Sequence, residues 1–163
     1  MKTIILTRHA KSDWSNLYVK DFDRELNHRG LHDAPMMGRR LSSRHILPDL
    51  IIASTAKRAA QTAELIAENC GFNKNSIQWD INLYHAPPHR IEEVLYATPD
   101  NIQTLMIVCH NPGITEFVNS IAGSLCDNLP TCGMAAFSFE ATSWNEFKLA
   151  KPSLLFYDTP KMG

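Results

Sequence analysis

Arginine and histidine side chains follow three short apolar segments of the chain. Arg8 and His9 come directly after the first segment, and His110 comes directly after the last. Arg58 lies just beyond the segment between them. Guanidinium groups pair well with phosphate oxygens, and a neutral imidazole nitrogen is a competent nucleophile near pH 7. These residue types indicate a site that binds a phosphoryl group, with one of the two histidines placed to attack phosphorus.

The apolar segments are typical of buried parallel strands, whose carboxyl ends meet at one edge of an open α/β sheet. Strands are predicted at 3–7, 49–53, 104–109 and 134–139, and they alternate with helical segments. The sequence therefore predicts an α/β fold, a three-layer sandwich with a mostly parallel central sheet. The polar residues named above would lie at the carboxyl edge of that sheet.

Two helices are predicted from apolar periodicity and end signals. The first covers 56–70, with a hydroxyl side chain of 54–55 as its candidate N-cap. The second is predicted to begin at Pro112 with Asn111 as its N-cap. His110 would then stand at a helix N-terminus, where free N–H groups favour an anion.

Other elements are defined less sharply by the sequence. A helix is predicted between about 27 and 44, where Pro35 would kink it unless the helix starts close to Asp33. The segment 13–25 has no periodicity and predicts a loop that borders the pocket. Two short strands are also predicted, at 77–79 and 154–157.

Length, charge and cysteine content restrict the class of protein. The length of 163 residues predicts one domain over 1–163. The net charge of -1 predicts no affinity for nucleic acid or an anionic membrane. No apolar segment approaches the roughly 18 residues of a spanning helix, and the first strand leaves no room for a signal peptide, so a cytoplasmic location is expected. The cysteines form no CxxC pair and are expected to be free.

Two histidine pairs have the i, i+4 spacing of metal ligands on a helix. They are His28 with His32 and His85 with His89. Prolines interrupt the second pair, and the first lies among solvated charges. Neither a metal nor another cofactor is expected.

Three sequence blocks together resemble the signatures of the histidine phosphatase superfamily. They are LTRHAKS at 6–12, STAKRAAQT at 54–62 and CHNP at 109–112. Their order and spacing also match, and the resemblance spans nearly the whole chain. The small size and the block DFDRELNHRG at 21–30 are most similar to the SixA-type phosphohistidine phosphatases.

The resemblance implies a phosphoglycerate mutase-like fold and a metal-independent phosphatase that forms a covalent phosphohistidine intermediate. By this resemblance His9 is the nucleophile, Arg8 and Arg58 bind the phosphoryl group, and His110 completes the pocket. Four further residues are candidate substrate contacts: Lys11, Ser12, Asn111 and His85.

Two positions depart from the commonest family pattern, because Ala10 and Cys109 stand where glycine is usual. At the end of a buried strand, Cys109 is predicted to be a small packed side chain. The alternative is a redox-sensitive thiol beside the site, which requires exposure and a lowered pKa.

The proton donor decides which phosphorylated substrate the site favours. Larger relatives carry a carboxylate in a region that here contains NLYHAPP at 82–88. A leaving alkoxide needs a positioned acid, whereas an imidazole leaving from a P–N bond can be protonated already at neutral pH. Phosphohistidine on a signalling or phosphotransfer protein is therefore favoured over a phosphoester. The residues that could still supply the proton are His85, Asp13, Asp21, Asp80 and Glu92.

Two alternative functions stay open from the sequence. One is a phosphomonoesterase for a small phosphorylated substrate, and the other is a non-catalytic module that binds phosphate or a phosphoprotein. The intact His9 argues against the binding module, since binding needs the arginines but no nucleophile.

Overall fold

The computed structural model describes residues 1–163 and contains a mixed six-stranded sheet. The strands are β1 (Lys2–Arg8), β2 (Leu50–Ala53), β3 (Gln78–Trp79), β4 (Thr104–Cys109), β5 (Met134–Phe139) and β6 (Ser153–Asp158). Their order across the sheet is β3-β2-β4-β1-β5-β6. Strands β3, β2, β4 and β1 are parallel to one another, and β5 runs antiparallel to both β1 and β6. The predicted strands, including the two short ones, are confirmed.

Four helices cover the two faces of the sheet. They are α1 (His28–Ser43), α2 (Lys57–Cys70), α3 (Pro88–Tyr96) and α4 (Gly113–Ala122). Helices α1 and α2 pack over a core that contains Ile5, Ile51 and Met106. Helices α3 and α4 pack over the opposite core, which contains Ile4 and Ile107. Successive residues of a strand point to opposite faces, so both faces are buried and the three-layer prediction is confirmed.

The parallel register of β1 and β4 places the candidate catalytic residues at one edge of the sheet. Arg8 is paired with Cys109, the residue before His110, and β2 lies on the other side of β4. The segments that follow these three strands therefore leave the sheet side by side. This is the physical reason why sequence blocks about 50 residues apart share one site.

The helix starts differ in detail from the predictions. Helix α2 begins at Lys57, one residue later than predicted, and its N-cap Ala56 offers no side-chain hydrogen bond. Helix α4 begins at Gly113 with Pro112 as its N-cap, so the predicted cap by Asn111 is wrong. The Asn111 amide nitrogen instead donates to the Leu129 carbonyl.

Helix α1 runs without interruption through Pro35. It begins well before Asp33, because the Asn27 side chain accepts a hydrogen bond from the Gly30 N–H and so caps the helix. Proline has no N–H to donate to the Leu31 carbonyl, but the neighbouring turns continue on either side.

No helix of the structure combines the length and the apolar character needed to cross a bilayer. All four cysteines are free thiols.

Candidate active site

A polar pocket of about 210 Å³ opens at the carboxyl edge of β1, β2 and β4. All eight residues predicted from the sequence line it, together with two that were not predicted, Trp14 and Thr131. The predicted residues that the fold brings together are Arg8, His9, Lys11, Ser12, Arg58, His85, His110 and Asn111.

The His9 ring is held in one tautomer. Its Nδ1 lies 2.7 Å from the Ala10 carbonyl oxygen, which can only accept a hydrogen bond, so Nδ1 carries the ring proton. Nε2 is then left with its lone pair. Burial lowers the pKa of His9 to about 3, outweighing the hydrogen bond to Ala10, which raises it. The ring is therefore neutral and nucleophilic at pH 7.

The second histidine faces His9, with 5.1 Å between the centroids of the two rings. His110 Nε2 lies 2.8 Å from the Ser54 hydroxyl, which also accepts the Ala56 N–H. The hydroxyl can donate to Nε2 or accept from it, so this contact fits either tautomer of His110. Nδ1 is buried without a protein partner, and in the tautomer that places the proton there it is a donor available to a bound oxyanion.

Burial also controls the charge of the second histidine. Burial, together with the smaller effects of nearby His9 and Arg58, lowers the pKa of His110 to about 2. Both rings are neutral in the unliganded pocket. An anion bound between them would raise both pKa values, because it stabilises the protonated form.

Arg58 is aimed into the pocket by Asp21. Its Nη1 donates to the Asp21 carbonyl at 2.6 Å, and its Nη2 donates to the Asp21 carboxylate at 3.0 Å. The same carboxylate oxygen accepts the Tyr84 hydroxyl at 2.6 Å. Burial raises the pKa of Asp21, but the hydrogen bonds from Tyr84 and Arg58 outweigh burial and lower it overall.

Arg8 is the second guanidinium of the pocket. Its Nη1 donates to the Leu129 carbonyl at 3.0 Å, whereas its Nε is buried with no partner. Burial and the neighbouring Arg58 lower the pKa of Arg8. Two cations that share a pocket repel each other, and a phosphoryl group bound between them would relieve that repulsion.

The four candidate substrate contacts differ in exposure and in whether their side chains are already hydrogen-bonded. Lys11 is exposed at the pocket rim. Ser12 is buried, and its hydroxyl accepts the Trp14 indole N–H at 3.0 Å. The Asn111 side chain is engaged by its neighbours, since its carbonyl also accepts the Thr115 hydroxyl at 2.6 Å. These three side chains thus line the pocket, with Ser12 and Asn111 already hydrogen-bonded.

His85, like Lys11, is exposed at the pocket. Its Nε2 lies 3.7 Å from the Asp21 carboxylate, and its ring centroid is 6.3 Å from that of His110. The side chain keeps 63% of its surface exposed, so water reaches it freely.

No carboxylate lines the pocket. Asp13 accepts its own loop's Ser15 N–H, Asp80 accepts the Asn82 N–H, and Glu92 pairs with Lys148 at 3.2 Å. Of the four acids that folding might have supplied, only Asp21 reaches the cluster, and it is occupied by Arg58 and Tyr84. His85 is therefore the only residue among the five proposed donors that lines the pocket.

Cys109 lies beside the site but does not enter it. It is fully buried, and burial raises the pKa of its thiol to about 12. The packed-side-chain prediction fits this environment, and the conditions for a redox-sensitive thiol are not met. No group of three His, Cys, Asp or Glu side chains is placed to hold a metal ion.

Some residues of the site carry little signal in the sequence. Ser54 was predicted only as a helix cap, although it directly follows β2 and so belongs to the same sheet edge. Tyr84 meets Asp21 across a wide sequence separation, which no local pattern reveals.

Comparisons with known proteins define the class to which this fold and site belong. The model of the histidine phosphatase superfamily (branch 1) matches residues 4–83. An uncharacterized chloroplastic protein from Arabidopsis thaliana is 32% identical over 161 residues, which cover 93% of this chain and 73% of that protein. The chain belongs to the histidine phosphatase superfamily.

Within that superfamily the structure is SixA-like. The crystal structure of SixA from Agrobacterium tumefaciens is 27% identical, with a TM-score of 0.83 and 98% of each chain covered. The structure of the protein histidine phosphatase SixA complexed with tungstate has the same fold, with a TM-score of 0.81, 16% identity and 97% of each chain covered. The predicted phosphoglycerate mutase-like fold is confirmed.

Proposed function

We propose that this protein is a metal-independent phosphohistidine phosphatase that acts on a signalling or phosphotransfer protein. The observation that carries the proposal is the neutral His9 ring, which presents Nε2 in a pocket with two arginines and no lining carboxylate. A cytoplasmic location belongs to the proposal, because free and mostly buried thiols fit a reducing compartment.

The reaction has two displacement steps. His9 Nε2 attacks phosphorus and the P–N bond to the substrate imidazole breaks. That imidazole leaves neutral, because its other ring nitrogen is already protonated in the substrate. Water then attacks phospho-His9 and the new P–N bond breaks; both protons of the water leave with inorganic phosphate, and His9 is neutral again with its proton on Nδ1. Arg8, Arg58 and the His110 Nδ1–H would hold the equatorial oxygens, where charge must be stabilised in phosphoryl transfer.

The lining of the pocket supports a P–N substrate over an ester. An alkoxide leaving group requires a proton from a placed acid, which contributes about 10²- to 10⁴-fold to the rate. The pocket offers no carboxylic acid for that task. An imidazole leaving group needs less help, since it has a basic nitrogen that is protonated near neutral pH.

A second candidate, a phosphomonoesterase for a small substrate, is favoured by one contact. His85 lines the pocket and lies 3.7 Å from the Asp21 carboxylate. Its imidazole would be the general acid for an ester leaving group, and ester hydrolysis would then depend on this residue.

The test is phosphate release, with EDTA present, from three substrates. They are a phosphohistidine-bearing protein, free phosphohistidine and a panel of sugar and nucleotide phosphates. The wild type is compared with His9→Ala, and His89→Ala is the control because His89 is exposed and does not line the pocket.

We expect turnover of the P–N substrates only, lost in His9→Ala and retained in His89→Ala. Fast ester turnover that disappears in His85→Ala would establish the phosphomonoesterase instead. If the wild type binds phosphate but turns over none of the substrates, the protein is a binding module and the proposal is wrong.

A further inference from the structure

We propose that the rim loop, residues 13–20, is a docking surface for the protein that carries the phosphohistidine. This inference rests on the proposed function and deepens it, because it assigns the recognition of a protein rather than of a free phosphorylated amino acid. The partner chemistry is an apolar protein surface that surrounds the phosphorylated side chain.

The rim loop adjoins the pocket directly. Trp14 lines the pocket, and its indole N–H donates to Ser12, which also lines it. Leu17 and Tyr18 follow within the same loop and have 78% and 99% of their surface exposed. Since a residue spans at most about 3.6 Å of chain, their Cα atoms lie within roughly 14 Å of that of Trp14.

A buried arginine holds the rim loop in one shape. Arg24 is only 5% exposed, and its guanidinium lies 3.8 Å from the centroid of the Trp14 ring. It also donates to the carbonyls of Asp13 and Asn16, at 3.3 and 3.1 Å. The backbone of the loop is thus fixed by a cation that the fold has buried beneath it.

The tip of the loop is fixed as well. The Asn16 side chain accepts the Tyr18 N–H at 3.0 Å, and the Val19 N–H donates to the Asn16 carbonyl at 3.3 Å. Leu17 and Tyr18 nevertheless belong to neither apolar core of the molecule. The backbone that carries these two residues is therefore hydrogen-bonded, while their large side chains are exposed to water.

Adjacent exposed apolar groups on a hydrogen-bonded loop beside a site indicate a binding surface. Aromatic residues carried on a preorganised loop bind at low entropic cost. A free phosphohistidine has no protein surface to offer Leu17 or Tyr18. A protein bearing the same group must bring its own surface to the rim, and the loop then becomes buried.

The test compares kcat/KM on two substrates that both contain the P–N bond of phosphohistidine. The substrates are a histidine phosphotransfer domain phosphorylated with phosphoramidate, and free phosphohistidine. The variant is Leu17→Ser with Tyr18→Ser. The matched control is Leu47→Ser with Leu149→Ser, because these leucines are 52% and 86% exposed and do not line the pocket.

We expect the loop variant to lose about tenfold in kcat/KM on the phosphorylated domain, mainly through KM, and to keep the wild-type rate on free phosphohistidine. The control variant should match the wild type on both. Thermal unfolding of both variants checks that the fold is intact.

Three results would overturn the docking surface while leaving the proposed function standing. They are a loop variant that behaves as wild type on both substrates, an equal loss on both, or a wild-type dimer that the loop substitutions dissociate. A wild type inactive on both P–N substrates would instead refute the proposed function, and the docking surface with it.

Discussion

Asp21 and Arg58 are joined by two hydrogen bonds, one to the Asp21 backbone carbonyl at 2.6 Å and one to its carboxylate at 3.0 Å. The pair fixes the first turn of α2 against the short 3-10 turn Asp21–Asp23. It also gives Arg58 one direction in the pocket that it shares with Arg8. An anion then meets a guanidinium that is already oriented, so less entropy is lost on binding.

Asp21→Ala is expected to lower kcat/KM on phosphohistidine about tenfold, because Arg58 loses a charge-assisted anchor and Tyr84 loses its acceptor. Asp21→Asn should lose less, since an amide oxygen still accepts. The control is Asp23→Ala, an exposed acid in the same turn. Equal activity of Asp21→Ala and Asp23→Ala would show that the orientation of Arg58 does not matter.

Ser54→Ala tests whether the orientation of His110 contributes to turnover. The hydroxyl is buried and holds Nε2 at 2.8 Å, so its removal frees the ring. We expect kcat to fall about tenfold with little change in KM. Steady-state kinetics separates the two constants, and thermal unfolding reports any loss of stability.

The neighbouring hydroxyl supplies the control for that prediction. The Thr55 Oγ1 atom is buried without a partner, so Thr55→Ala removes no hydrogen bond. Its kinetics should match the wild type. A similar fall in kcat for both alanine variants would mean that the turn after β2 is sensitive to packing alone.

The main elements were predictable because each has a local cause. Apolar segments define the strands, and Gly71, with a φ of 92°, ends α2 as expected. Side chains that follow parallel strands necessarily share an edge, so His9 and His110 were predictable neighbours. This part of the site depends only on strand direction and register.

The rest of the site depends on contacts between loops. Tyr84 reaches Asp21 only because two short turns, far apart in sequence, pack against each other. The Asn111 cap failed because its side-chain oxygen accepts the Thr115 hydroxyl, while its NH2 group donates to Asn128 and Leu129. Propensity cannot rank such tertiary partners against a local cap.

Gly113→Ala is expected to destabilise the protein by about 2 kcal/mol or more. A Cβ at this position would overlap the Ala86 carbonyl, so α4 and the segment that carries His85 must separate. Urea unfolding measures the loss, with Glu116→Ala on the exposed face of α4 as the control. If Gly113→Ala is as stable as the control, then the segment that carries His85 can move away from α4 without lowering the free energy of unfolding.

The buried histidines predict a loss of stability in mild acid. Burial lowers the pKa of His9 to about 3 and that of His110 to about 2, whereas in the unfolded chain each takes up a proton near pH 6.5. Between these values the unfolded state binds more protons, so the free energy of unfolding falls as the pH falls. From pH 7.5 to 5.5 the loss is about 1.4 kcal/mol for each histidine.

Urea unfolding at the two pH values, on the wild type and on His9→Gln, tests this linkage. The variant should lose about 1.4 kcal/mol less than the wild type between pH 7.5 and 5.5, because one of the two titrating groups is gone. His89→Gln, at an exposed position, should lose as much as the wild type. Saturating phosphate should also reduce the wild-type loss, since an anion between the rings raises both pKa values in the folded state. Identical losses for the wild type and His9→Gln would mean that folding does not lower the pKa of His9, and the burial of a neutral ring at this position would then be wrong.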